Sequence, residues 1–278
     1  MRKKSLASTL YMYALYTFLF LPILVLIVFS FNQSKSRSNW TGFTFDWYIK
    51  LFKNEMIMTS LMNTLIVALA ASIFSTILGT MAALGIHSMR KRSKALIMNL
   101  TYVPVINPEI IMGVSLMLLF KFFADWFGFE FGFVSLILAH ISFDVPYVIY
   151  NVLPKLRQMN PNLVEAAKDL GCNSVSAFFK VVVPEIMPGI FSGFLMAVTY
   201  SIDDFIVSYF TSGESVQTLS ITIDSMTRKK VSPEINALSA CIFVVIAIIL
   251  ITKNYLENRK LRKERMQFRQ ARAQEAKL

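Results

Sequence analysis

The stretch that most constrains the fold is NPNLVEAAKDLGCNSVSAFFKVVVP, residues 160–184. Asn160 and Pro161 are typical of a helix start, because an asparagine side chain caps free N–H groups and proline suits the first helical turn. Gly171 lies where a glycine ends a helix in the left-handed conformation, and Ser174 is placed to cap a second short helix. The stretch therefore predicts a compact helix–turn–helix between two apolar segments.

Long apolar runs flank this polar stretch and recur along the 278 residues. Apolar residues make up 55% of the chain, charged residues only 16%, and the mean hydropathy is +0.54. Soluble domains carry about 25% charged residues, so the composition excludes an ordinary soluble protein. Six runs are long enough to cross about 30 Å of hydrocarbon, and the absence of strand-type alternation favours helices. These runs are residues 10–31, 61–86, 95–120, 132–153, 184–210 and 235–252.

The predicted fold class is therefore an all-α polytopic membrane protein with six transmembrane helices. The first run follows a short basic segment and is expected to be an uncleaved span, because it is too long for the apolar part of a secretory signal and no A-x-A-like site follows it. Outside the membrane, the aromatic and basic residues of 46–53 have the pattern of an amphipathic helix lying in the interface. An aromatic anchor and a gating role both remain open for that segment.

Basic residues indicate the orientation of the spans. The net charge is +11, and 20 of the 28 Lys and Arg residues lie in the N-terminus, the 87–94 and 154–183 loops and the tail from residue 253, against 7 in the alternate segments. The positive-inside rule then places both termini and the 154–183 loop in the cytoplasm. A basic balance alone is also compatible with nucleic acid, but this distribution favours membrane lipid as a partner and no nucleic acid.

Acidic residues occur at four positions within the predicted spans: Glu109, Asp144, Asp203 and Asp204. Acidic residues inside a membrane are costly and usually functional, although some cap helices, hold the bundle together or lie among headgroups. Neighbouring positions on a helix point about 100° apart. We therefore expect one of Asp203 and Asp204 to face a transport path and the other to pair inside the bundle.

Several carboxylates in one channel suit a cationic cargo, which supplies the missing positive charge as it passes. Aromatic residues beside the acid pair can add cation–π contacts to ammonium groups. The sequence thus predicts a substrate path that carries carboxylates and aromatic rings. Its predicted residues are Asp203, Asp204, Glu109, Asp144, Tyr200 and Tyr209.

No arrangement in the sequence predicts an enzyme or a metal site. Cys172, Cys241, His87 and His140 show no metal-ligand or catalytic spacing, and His140 is expected to be a hydrogen-bonded residue of the bundle. No Gly-Lys pair occurs, hence no phosphate-binding loop of the G-x-x-x-x-G-K-[ST] type. If ATP drives transport, the ATPase must be another chain.

The polar stretch resembles the EAA loop of ABC-importer permeases. That family pattern is E-A-A-x3-G-x9-I-x-L-P, and residues 165–184 follow it with valine at the two aliphatic positions. The resemblance covers about residues 57–252 and implies the ABC type I importer permease fold, with the loop as the coupling element that sits in a cleft of a cytoplasmic ATPase. The coupling residues it implies are Glu165, Ala166, Ala167, Asp169 and Gly171.

Three further stretches are similar to the polyamine (spermidine/putrescine) permeases, above all to the second permease subunit of those importers. They are NPEIIM at 107–112, YSIDDFIVS at 200–208 and VSPEINAL at 231–238. The resemblance implies a bacterial plasma-membrane protein with a homologous second permease subunit, two cytoplasmic ATPase subunits and an external polyamine-binding protein as partners. It implies no cofactor on this chain, with ATP and Mg bound by the ATPase subunits.

The sequence accordingly divides into three predicted parts. Residues 1–56 form the first span and an external interfacial segment, 57–252 the transport core with the coupling loop 154–183, and 253–278 a basic cytoplasmic tail. Two alternatives stay open: an ABC permease for another small solute, such as an amino acid, iron chelate or osmolyte, and a proton-coupled secondary carrier. The second is disfavoured because no inverted repeat relates the two halves of the chain.

Overall fold

The computed structural model describes residues 6–34, 39–229, 233–245, 247–248 and 251. Within these residues the secondary structure is helical, apart from one isolated antiparallel bridge between Asn32 and Phe43. Among the described helices, five are long and apolar enough to cross a membrane, and the shorter apolar helix Pro233–Val245 overlaps the sixth predicted run. The all-helical class is thereby confirmed. The predicted basic tail, 253–278, lies outside the described residues.

The helices are numbered in chain order. They are α1 Leu6–Phe29, α2 Asp46–Lys53, α3 Glu55–Ser88, α4 Lys91–Ile106, α5 Glu109–Phe127, α6 Phe133–Gln158, α7 Asn162–Asp169, α8 Ser174–Ala177, a π-helical turn Phe178–Val182, α9 Val183–Asp203, α10 Ile206–Thr211, α11 Leu219–Lys229 and α12 Pro233–Val245. The chain forms two compact units, Glu55–Ser225 and the remainder on either side of it.

The smaller unit contains α1, α2 and α12. In α2 the side chains of Trp47 and Leu51 are buried, whereas Lys50 is exposed and its ammonium lies 4.7 Å from the Trp47 ring centroid. The Trp47 indole N–H donates to the carbonyl of Asn32 at 2.7 Å, which ties α2 to the segment that follows α1. The predicted helix at 46–53 is therefore present, with one apolar and one basic face.

The larger unit is built around α3, α6 and α9, which pack closely through small residues. A Cβ added at Gly79 of α3 would lie 2.6 Å from the Val148 Cβ of α6, and one at Gly193 of α9 would lie 3.1 Å from the Val148 Cα. Close approach at small residues is the usual way in which membrane helices gain packing contacts, because lipid supplies no hydrophobic drive between them. Val148, Val152 and Ile186 lie in the buried core that results.

Two predicted spans are interrupted rather than continuous. Run 95–120 breaks between α4 and α5 at Asn107-Pro108, since proline lacks an N–H and disfavours helical geometry in the preceding residue. Run 184–210 breaks between α9 and α10, because the Asp204 carboxylate accepts the N–H groups of Val207 at 3.2 Å and Ser208 at 2.7 Å. Short acidic side chains compete in this way with the helical carbonyls.

The loop between α6 and α9 folds as the predicted helix–turn–helix. Gly171 has a φ of +86°, and Cys172 N–H donates to the Ala167 carbonyl at 3.0 Å, as in a glycine-terminated helix. The cap of α8 differs from the expectation: the Asn173 side chain accepts the Ser176 N–H at 2.7 Å, and Ser174 is the first helical residue. Asn173 therefore accepts a free N–H group at the start of α8, which is the role that was expected of Ser174.

Candidate functional site

The two helix breaks lie beside the same cavity. Its volume is about 400 Å³, and it is bounded by the α4–α5 break, the α9–α10 break and one face of α6. A cavity of this size accommodates a small organic solute. Its lining residues are Pro104, Val105, Asn107, Glu109, Met112, Phe143, Tyr147, Tyr200, Asp203, Asp204, Phe205, Ile206 and Val207.

Three carboxyl groups lie in the lining, and none of the described lining residues is basic. Glu109 is exposed at the start of α5 and Asp203 is exposed at the end of α9. The Asp204 side chain is 5% exposed and is held by the two backbone N–H groups of α10. The structure therefore brings both members of the acid pair to the cavity: Asp203 faces it freely, while Asp204 also stabilises the helix break.

Aromatic rings form much of the remaining wall. Tyr147 of α6 and Tyr200 of α9 stack with ring centroids 4.3 Å apart, and Phe143 and Phe205 also line the cavity. Faces of such rings attract cations through their quadrupole. Tyr209 was predicted in the path, but it is exposed and does not line the cavity. It contacts the lining residue Phe205, with ring centroids 5.7 Å apart and its backbone N–H donated to the Phe205 carbonyl at 2.8 Å.

Backbone carbonyls at the two breaks add to the negative character of the cavity. The residue four positions after Pro104 is Pro108, which has no N–H to donate to the Pro104 carbonyl. The N–H of Val207, which in a continuous helix would bond to the Asp203 carbonyl, goes to the Asp204 side chain instead. Ends of interrupted helices carry partial negative charge at their C-termini, and in membrane proteins they commonly face bound cations.

Asp144 is not among the cavity residues, although the sequence predicted it there. Its side chain is completely buried, and the Ser201 hydroxyl donates to its Oδ2 at 2.9 Å. His140, one turn earlier on α6, is also buried and contacts Ser201 and Ser208. This confirms the expectation that His140 is a hydrogen-bonded bundle residue. Asp144 lies behind the wall because α6 turns its Tyr147 and Phe143 side toward the cavity.

Tyr147 and Phe143 line the cavity but were not predicted there from the sequence. The only signal for them was their position beside Asp144 on a helix that carries a buried acid, and such a signal does not say which side of the helix meets a cavity. Asn107 and Met112 also line the cavity, and the NPEIIM stretch that contains them predicted a family rather than a cavity position. They lie beside the α4–α5 break, whereas Tyr147 is one member of the stacked tyrosine pair and Phe143 lies one turn before it on α6.

The loop residues form a second cluster, at the far end of the same helices. Tyr147 precedes the end of α6 by eleven residues, roughly 16 Å of helix. In the loop, Glu165 and Gly171 are exposed, as are Ala166 and Asp169, whereas Ala167 is buried against the loop itself. The smooth face predicted for Ala166 and Ala167 therefore has only Ala166 on its surface.

Exposed apolar side chains surround these loop residues instead. Leu170 is 87% exposed, and Leu163, Val175 and Phe179 are also exposed. Their exposure was not predicted from the sequence. Apolar side chains left bare on a polar loop are typical of a surface that another protein covers.

Long apolar helices, a polar-lined cavity among them and an exposed apolar loop surface define a solute-transporting subunit of a membrane complex. Residues 75–259 match the family of the binding-protein-dependent transport system inner membrane component. The chain belongs to this family and is a multi-pass permease of the inner membrane. It is a non-catalytic transport subunit, and as an ABC-importer permease it acts with an ATPase and a solute-binding protein.

Curated relatives match nearly the whole chain. It is 35% identical over 250 residues to the spermidine/putrescine transport system permease protein PotC of Haemophilus influenzae, covering 90% of this chain and 95% of that protein. It is 34% identical over 246 residues to PotC of Escherichia coli K12, covering 88% and 91%. It is 35% identical to the putrescine transport system permease protein PotI of the same strain, covering 87% of each chain.

Solved structures show the same fold at lower identity. A bacterial ABC transporter involved in the import of the acidic polysaccharide alginate matches with a TM-score of 0.68 and 17% identity, over 91% of this chain and 95% of that chain. The same kind of transporter in complex with an alginate-bound periplasmic protein matches with a TM-score of 0.67 and 16% identity, over 89% and 91%. These structures share the fold, and the family match together with the curated relatives confirms the resemblance to ABC-importer permeases that the polar loop indicated.

Proposed function

We propose that this chain is a permease subunit of an ATP-driven importer that carries polyamines, spermidine or putrescine, across the membrane. The observation that carries the proposal is the cavity with three carboxyl groups, stacked tyrosines and no basic residue among its described lining. The names of the relatives at 34–35% identity support the same cargo.

A polyamine suits this cavity chemically. It is a flexible chain whose ammonium groups are separated by short methylene segments, so it presents both positive charge and apolar surface. Carboxylates at Glu109, Asp203 and Asp204 compensate the charge, and the rings of Tyr147 and Tyr200 contact the methylene groups and add cation–π attraction. An anionic solute would meet three carboxyl groups of its own charge, and a neutral solute would leave their charge without compensation.

The proposed assembly contains more than this chain. A homologous second permease subunit completes the translocation path, two cytoplasmic ATPase subunits bind ATP and Mg, and an external polyamine-binding protein delivers the cargo. This chain would cross the membrane six times with both termini in the cytoplasm, which agrees with the distribution of its basic residues. Residues 57–252 would form the transport core, and the chain itself would bind no cofactor.

The exposed loop would carry the motion from the ATPase to the cavity. We assign Glu165, Ala166, Asp169 and Gly171 to the contact with the ATPase, and Ala167 to the packing that supports them. Closure of the ATPase subunits on ATP would displace α7. This displacement would pass along α9, which runs from the loop to the cavity, and along α6, which ends at the loop and lines the cavity with Phe143 and Tyr147.

Replacing Glu165 by alanine is expected to separate ATP hydrolysis from transport. The side chain is exposed, so its loss removes a contact with the ATPase without disturbing the bundle. Spermidine uptake by the complete complex should fall by about tenfold, the effect of losing one charge-assisted contact, while ATP hydrolysis continues. The ratio of uptake to hydrolysis in proteoliposomes measures this.

The matched control for this variant is Lys168→Ala, which removes another exposed charged side chain of the same short helix. Its uptake-to-hydrolysis ratio should stay close to that of the unmodified complex. Gly171→Ala should behave like Glu165→Ala, because its φ of +86° is strained for alanine by about 1 kcal/mol or more. An unchanged ratio of uptake to hydrolysis in both loop variants would show that the loop does not couple ATP hydrolysis to transport.

The cargo is tested with the complete importer in proteoliposomes. We expect ATP-dependent accumulation of radiolabelled spermidine or putrescine that requires the binding protein and resists collapse of the proton gradient. Competition by an amino acid or an osmolyte, with none by polyamines, would assign the chain to another solute. Accumulation that follows the proton gradient and ignores ATP would identify a secondary carrier.

A further inference from the structure

A chain of buried polar side chains runs behind the cavity wall and ends at Asp204. Asp144 Oδ2 lies 2.9 Å from the Ser201 hydroxyl, which lies 2.9 Å from His140 Nδ1. On the other side of the ring, His140 Nε2 lies 3.1 Å from the Ser208 hydroxyl and 3.7 Å from Asp204 Oδ2. His140 itself is completely buried.

Both nitrogens of the His140 ring have a serine hydroxyl as hydrogen-bond partner. Nδ1 pairs with Ser201, whose hydroxyl also bonds to Asp144 Oδ2, and Nε2 pairs with Ser208. Each ring nitrogen is thus occupied by a different helix, which leaves the imidazole one orientation.

The two serines lie on opposite sides of the break between α9 and α10. Ser201 belongs to the last turn of α9, and Ser208 lies in the first turn of α10. Ser208 also donates its backbone N–H to Asp204 Oδ2 at 2.7 Å. His140 of α6 therefore spans the break and fixes the residue that orients the Asp204 carboxylate, although its own Nε2 is too far from that carboxylate for a hydrogen bond.

We propose that His140 is a positioning residue for cargo recognition: through Ser208 it holds the Asp204 carboxylate at the cavity. The inference rests on the proposed function, in which that carboxylate contacts a polyamine ammonium. A carboxylate placed within hydrogen-bond reach of an ammonium gains from the contact, and a displacement of about 1 Å forfeits much of it. His140 acts on the cargo only through this placement.

Two variants of His140 test the contacts of the two ring nitrogens separately. The amide of His140→Asn reaches the position of Nδ1 and keeps the contact with Ser201, whereas the amide of His140→Gln reaches the position of Nε2 and keeps the contact with Ser208. If the Ser208 contact is the one that matters, His140→Gln should retain most of the spermidine uptake. His140→Asn should lose roughly tenfold, comparable with Asp204→Asn.

The decisive measurement combines these variants with Asp204→Asn in the complete importer, with the amount of assembled complex measured for each. We expect His140→Asn to lower uptake when Asp204 is present and to add little in the Asp204→Asn background, because both changes disable the same contact. A residue that merely supports the bundle would cost the same factor in either background.

Three results would overturn the inference. These are additive losses, equal uptake in the asparagine and glutamine variants, and loss of assembly in His140→Asn where Asp204→Asn assembles normally. If the unmodified importer takes up no polyamine, the proposed function is wrong, and this inference fails with it because it depends on that function. A working importer in which only the His140 results disagree would reject the positioning role alone.

Discussion

Replacing Asp203 and Asp204 together by asparagine is expected to lower spermidine uptake by about 100-fold. Both side chains line the cavity, and asparagine keeps their shape while removing two negative charges. A hydrogen bond to a charged group contributes roughly 1.5–3 kcal/mol, so each substitution should cost about tenfold or more. Initial uptake rates by the complete importer in proteoliposomes, at fixed binding-protein concentration, measure the loss.

The single variants distinguish charge from structure. Asp203→Asn should reduce uptake without affecting assembly, because this side chain is exposed to the cavity. Asp204→Asn should reduce uptake and also weaken the protein by about 1 kcal/mol, since an amide replaces one of the two oxygens that accept Val207 and Ser208.

The matched control is Asp125→Asn, which neutralises an exposed carboxylate of α5 that does not line the cavity. It should leave uptake within twofold of the unmodified importer. Normal uptake in the double variant would exclude the acid pair from the path. An equal loss of uptake in Asp125→Asn would mean that the loss reflects the overall charge of the protein and not the cavity.

The second large effect is structural: Gly79→Val is expected to prevent normal assembly of the permease. The new Cβ would lie 2.6 Å from the Val148 Cβ and 3.1 Å from the Val145 carbonyl oxygen, so α3 and α6 would have to move apart. Overpacking of this kind costs about 1–3 kcal/mol and more where backbone must shift. The thermal transition and the yield of the detergent-extracted complex should both fall.

Gly85→Val is the control, because it makes the same chemical change six residues further along α3. A Cβ at Gly85 has no neighbour within 4 Å, and the residue is exposed. Helix propensity changes equally in the two variants, so their difference reports the helix contact alone. Equal stability of the two variants would contradict the close packing of α3 on α6.

Much of the architecture was predictable from the sequence because it depends on local chemistry. A backbone in lipid must satisfy its own hydrogen bonds, so the long apolar runs had to be helices. The spacing from Glu165 to Pro184 marked the loop and the family, and Gly171 adopts the left-handed conformation that its position suggested. The acidic, aromatic composition of the site was also visible before its geometry was known.

The two helix breaks differed in how far the sequence could predict them. Asn107-Pro108 contained its own signal for a break, because proline has no N–H. By contrast, Asp204 breaks the helix through side-chain bonds to Val207 and Ser208 that compete with an equally local alternative, the continued helix. Sequence patterns do not say which of two such competing bonds forms.

What the sequence alone determined about this protein is its class: a helical, multi-pass permease with a polar loop and acids within its apolar runs. The tertiary structure decided which acids meet. It brings Glu109 to Asp203 and Asp204 around one cavity, and it turns Asp144 away to Ser201 and His140. The reason is physical: helical periodicity fixes the angles between side chains on one helix, whereas the direction in which that helix faces is fixed only by the helices packed against it.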